Sequence, residues 1–178
     1  MTQRPVLSYA VSIGDALAPP EGRIEVSQAE RARLAKFLRI ENLDKFSFDY
    51  HLEPISGERF LLTGKVAARL TQLCVITLDP VDETVDETVS VECWPQDEIG
   101  QGEDADDPAA PTLPDDPPVA IVGGKIDLGA FAAEVLASAI NPYPRKAGVA
   151  FDWRDAKDAA DGPATGPFAK LAELKPKR

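Results

Sequence analysis

Three alternating runs between residues 44 and 94 do most to limit the folds open to this chain. In the first, Phe46, Phe48, Tyr50 and Leu52 share one parity. Residues 59–75 form a second extended run, with Leu61, Thr63, Lys65, Ala67 and Arg69 on one side. In the third, residues 83–94, Val85, Glu87, Val89, Val91 and Cys93 alternate unevenly with Thr84, Asp86, Thr88, Ser90 and Glu92. Successive strand side chains point to opposite faces, so these runs predict a sheet with one buried face. Ile55-Ser56-Gly57-Glu58 and the neighbourhood of Asp79-Pro80 supply short turns, and strands joined by short turns form an antiparallel meander.

A half-apolar sheet must be covered, and two segments have helical period. Ser27-Gln28-Ala29-Glu30 fits a capping box, in which the serine oxygen accepts from the N3 amide and Glu30 reaches back. The helix it starts is expected to end at Leu38 or Arg39, with Ala29, Leu34, Phe37 and Leu38 inward and Arg31, Arg33, Lys36 and Arg39 largely outward. Those four bases read either as a solvated face or as a contact for RNA or an acidic partner.

Residues 119–144 combine a short apolar strand, a Gly123-Gly124 turn, an Asp127 N-cap and a helix of about three turns that Asn141-Pro142 ends. Leu128, Phe131, Val135, Leu136, Ala139 and Ile140 mark its buried face. Residues 5–13 alternate with Leu7, Tyr9, Val11 and Ile13 inward and are expected to join the same sheet, after which residues 23–26 form a short strand. The fold class is α+β: an antiparallel β-meander sheet covered by two helices, with a single domain over residues 1–151.

Charge is distributed unevenly within the net -11. Residues 95–118 hold eight carboxylates, six prolines and no base, a composition that buries too little apolar area to offset ordering and predicts a flexible acidic loop. That loop either solvates the protein or attracts a basic partner. The tail, residues 152–178, is polar and broken by Gly162-Pro163 and Gly166-Pro167 until Phe168, Leu171 and Leu174 mark a short amphipathic helix. Three apolar side chains recover less than the backbone entropy of about eight residues, so this helix is expected to form on docking to a partner. No charged leader with an apolar core opens the chain, and no apolar run approaches the ~18 residues of a membrane span. A soluble, cytoplasmic protein without membrane contact is expected.

Residues that carry chemistry are sparse. Cys74 and Cys93 lie in apolar, strand-like segments, and Thr77 stands three residues after Cys74 where a zinc knuckle would want a second thiolate. Both cysteines read as reduced and packing. His51, the single histidine, has no second ligand nearby, and Gly123-Gly124 lacks a phosphate-loop context. Asp127 and Glu134 are two turns apart but one of them is a cap. No catalytic set, metal site, cofactor or small-molecule substrate is therefore expected.

Taken together, L-T-Q-L-C-V-I-T-L-D-P-V at 70–81, G-K-I-D-L-G-A-F-A-A-E-V-L-A-S-A-I-N-P-Y-P at 124–144 and P-F-A-K-L-A-E-L-K at 167–175 resemble the YceD family, bacterial large-ribosomal-RNA-subunit accumulation proteins. They occur in the family's order, around an acidic insert. The resemblance implies a non-enzymatic role in ribosome biogenesis, with large-subunit ribosomal RNA precursor or a ribosomal protein as partner. Within it, Arg31, Arg33, Lys36 and Arg39 would contact RNA or a partner, and Phe168, Leu171 and Leu174 would dock. Family members commonly carry C-x-x-C where this chain keeps only Cys74, a departure that weighs against a metal or redox role. The second reading, favoured by the acidic balance, is a protein-binding adaptor that does not contact RNA.

Overall fold

A computed structural model describes residues 5–13, 21–99 and 117–151. The chain divides into units Met1–Ala147 and Gly148–Arg178, and the fold below belongs to the first. Its elements in chain order are β1 (Ala10–Ser12), β2 (Glu21–Glu25), α1 (Gln28–Leu38), β3 (Asn42–Ser56), β4 (Arg59–Leu73), β5 (Pro80–Pro95), β6 (Val119–Ile121), β7 (Lys125–Asp127) and α2 (Leu128–Ala139). Most of the expected flexible loop (residues 100–116) and all of the tail at 152–178, including the docking helix at 167–175, lie outside the described residues.

β3, β4 and β5 are the three alternating runs, and they form the meander. The main sheet has the order β2-β3-β4-β5-β6. Its first three pairings are antiparallel, whereas β6 lies parallel to the end of β5, with Cys93 opposite Val119 and Pro95 opposite Ile121. Phe46, Phe48, Tyr50 and Leu52 of β3, with Leu62, Val66, Ala68 and Leu70 of β4, are buried on one face. In β4 the core parity is thus the one opposite Leu61, Lys65 and Arg69. Fully buried Leu34 of α1 and Leu128 and Leu136 of α2 complete the core, and Phe131 meets Phe48 with ring centroids 6.0 Å apart.

The N-terminal segment departs from expectation. β1 is three residues long and does not enter the main sheet; it pairs with β7 as a separate two-stranded sheet, Ala10 opposite Asp127 and Ser12 opposite Lys125. The local alternation is correct, since Leu7 is buried and Tyr9, Val11 and Ile13 pack against the core. Alternation identifies the inward face of a strand but not its partner. Here the partner is fixed by Asp127, whose carboxylate accepts from the Ala130 amide as the α2 cap and also from the Tyr9 amide at 2.9 Å and the Ser8 hydroxyl at 2.7 Å.

Candidate functional site

The α1 surface is built by its caps. Ser27 accepts from the Glu30 amide while the Glu30 carboxylate accepts from the Ser27 amide at 3.0 Å, closing the expected capping box. Tyr9 donates its hydroxyl to the same carboxylate at 3.1 Å. Hydrogen bonds from Ser27, side chain first and backbone second, hold Glu30 below the usual carboxylate range, and burial together with the Glu30 contact raises Tyr9. At the other end Arg39 takes a left-handed conformation (φ 58°) and returns its amide to the Ala35 carbonyl.

This frame sorts the four expected bases into two groups. Arg33, Lys36 and Arg39 are exposed. Arg31 is not an outward residue: it is partly buried, donating Nη1 to the Val26 carbonyl at 2.6 Å and Nε to the Leu43 carbonyl at 3.1 Å. Its planar fork holds together the chain before α1 and the start of β3. Phe37, expected inside, is 63% exposed. It stands one turn from Arg33 and next to Lys36, so α1 presents an aromatic ring among three exposed bases, the pairing used for stacking on unpaired bases of nucleic acid. Residues Leu34, Phe37, Ala133 and Ala137 line an apolar groove between the two helices. Clustered charge made the basic stripe visible in sequence, but the exchange of Arg31 for Phe37 depends on carbonyls at Val26 and Leu43 that only the fold supplies.

The neighbourhood of Cys74 is structural. Cys74 follows β4 rather than lying on it, at the start of a tight turn in which the Leu78 amide bonds the Cys74 carbonyl and Leu78 has φ 61°. Its side chain is buried, and the Lys146 amide points at Sγ from 3.4 Å. The Thr77 side chain hydrogen-bonds the same sulfur. Thr77 first, then the amides of Lys146, Thr77 and Ile76, outweigh desolvation and bring the thiol down to about 6, whereas burial alone pushes Cys93 up to about 12. A Cys93→Ala variant followed by thiolate absorbance is therefore expected to titrate near pH 6, and a Cys74→Ala variant to show no thiolate while folded. A midpoint at the ordinary cysteine value of about 8.5 in the first variant would contradict this. Lys146 also donates Nζ to Asp79 at 3.0 Å and thereby lowers the Asp79 carboxyl.

His51 lies exposed on β3, its Nδ1 3.8 Å from Glu21. Among the described residues no group of three or more His, Cys, Asp or Glu side chains converges in a way that would hold a metal ion. Among them no helix is long and apolar enough to cross a membrane.

Residues 62–175 match a family model described as large ribosomal RNA subunit accumulation protein YceD. No curated protein and no solved structure matches the chain.

Proposed function

The chain belongs to the YceD family, and on that premise we propose that it is a non-enzymatic, cytoplasmic factor in ribosome biogenesis that supports accumulation of large-subunit ribosomal RNA. The observation that carries the reading is the family match over most of the chain, whose description names an accumulation role rather than a reaction. The exposed Arg33, Lys36 and Arg39 with Phe37 between them support α1 as the RNA-contacting surface. Arg31 supports that surface from beneath through its two carbonyl bonds. Phe168, Leu171 and Leu174 are proposed as a second contact that docks on a ribosomal protein.

Phosphate contacts release counterions, so reversing three contacting bases weakens binding steeply at physiological salt. The triple variant Arg33→Glu/Lys36→Glu/Arg39→Glu is expected to reduce co-sedimentation with large-subunit precursors about tenfold or more, without a change in melting temperature. Salt-insensitive association that survives the reversal would instead favour the acidic adaptor, the reading supported by the net charge of -11. Finding the protein only in the free pool, with unaltered ribosomal RNA levels on deletion, would sink the ribosomal reading.

A further inference from the structure

The main sheet is closed unequally at its β5 side. β6 pairs with β5 only at Cys93–Pro95, because Pro117 and Pro118 immediately before it lack the amides a longer ladder requires. Among the described residues, β5 from 80 to 92 has β4 on one side and no strand on the other. In an antiparallel ladder alternate residues direct their N–H and C=O groups to opposite sides, so every second residue of this stretch offers an unused pair. Two of the usual protections of an edge are missing, since the β4–β5 register runs without a bulge from Phe60 opposite Cys93 to Leu73 opposite Pro80 and prolines occur only at the two ends of β5; the protection present is acidic charge.

Beside this edge lies an open cleft of about 810 Å³ between β5 and α2. Its floor is apolar, formed by the partly buried Val89, Val91, Phe131 and Val135. Glu87 and Glu134 stand exposed on its two walls and make no ion pair or hydrogen bond with any described residue. Other carboxylates on β5 are engaged: Asp86 with Lys65 at 2.9 Å, Asp82 with Thr71, and Glu83 with Gln72 and the Asn141 amide. The free acids therefore flank the apolar floor.

We propose that the β5 edge is a strand-addition site for an extended basic segment of a protein partner, whose backbone continues the sheet along residues 83–91 while alternate apolar side chains enter the cleft and its lysines or arginines meet Glu87 and Glu134. Main-chain bonds supply affinity in such complexes and alternate pockets supply selectivity. Charge decides the occupant. A second copy of this chain would set Glu87 and its neighbours against the same acids, and like charges directly opposed across strands are destabilising; a basic strand reverses that sign. This inference does not rest on the ribosomal reading and stands or falls separately.

The test uses the full chain and a labelled ten-residue peptide alternating lysine and valine. Saturable binding is expected, with amide exchange slowed at residues 83–91, and none for the alternating glutamate–valine peptide. Glu87→Lys/Glu134→Lys should weaken binding at least tenfold, whereas Glu41→Lys/Glu53→Lys, the same charge change at exposed positions elsewhere, should alter it less than twofold. Equal losses in the two double variants would reduce the effect to bulk charge and overturn the proposal. Amides at 83–91 already as protected in the free chain as those of β4 would show that the edge is occupied by the chain itself, and would overturn it too.

Discussion

A Leu34→Ala variant should lose about 2 to 5 kcal/mol of unfolding free energy, while Phe37→Ala, three residues along the same helix, should stay within about 0.5 kcal/mol of the parent. Leu34 has no exposed surface and belongs to the cluster beneath α1; Phe37 is 63% exposed. Truncating Leu34 removes transfer energy and leaves a void that a sheet pinned by β2 and β4 collapses into only partly. Urea denaturation of the two variants measures the contrast, and an unchanged slope shows that the unfolded surface is the same. Comparable losses would mean that α1 is rotated about its axis. The pair also separates stability from function: if Phe37 stacks on an unpaired base, Phe37→Ala costs RNA affinity about 1 to 3 kcal/mol per stacked base while leaving the fold intact.

The second large effect is expected at Gly64, in the middle of β4. A methyl group there would fall on the Asp49 carbonyl oxygen of the neighbouring strand and lie 2.6 Å from Cε2 of Phe48. Phe48 lies across the position that a side chain would fill, as Tyr50 does over Gly22, where an added carbon would come 2.7 Å from the phenol oxygen. The Asp49 carbonyl is backbone and cannot rotate aside. Gly64→Ala should therefore cost about 1 to 3 kcal/mol or more through forced displacement, lowering the melting temperature by about 2 to 4 °C per kcal/mol. A melting curve that overlays the parent would show that β3 and β4 are further apart than described here. Because Phe48 also meets Phe131, the disturbance should extend to α2.

What was legible in the sequence is what local chemistry decides. Ser27 with Glu30 and Asp127 before Leu128 announce helix starts, because a cap is a contact between residues three apart. Phe46, Phe48, Tyr50 and Leu52 announce a buried face because the strand period is two. The misses required information from elsewhere in the chain. Arg31 turns inward because Val26 and Leu43 present carbonyls to it. β1 leaves the main sheet because Asp127 gathers Ser8 and Tyr9, and neither tie is written in the alternation of residues 5–13. The side of β5 that no described strand pairs along residues 80–92 was equally invisible, since alternation gives a strand its faces but not its neighbours. Only Pro117-Pro118 hinted at it, by limiting how far β6 extends.

The bond between Tyr9 and Asp127 also has a meaning in time. Tyr9 is made first, and the carboxylate that its amide bonds follows 118 residues later. At ordinary rates of synthesis that interval is roughly 6 to 24 s. β3, β4 and β5 have no such wait, since short turns deliver each strand to the next and nearby contacts close quickly. The first segment of the fold to be synthesised is thus among the last to find its place, and the arrival of β7 secures the N-terminal segment and starts α2 in the same event.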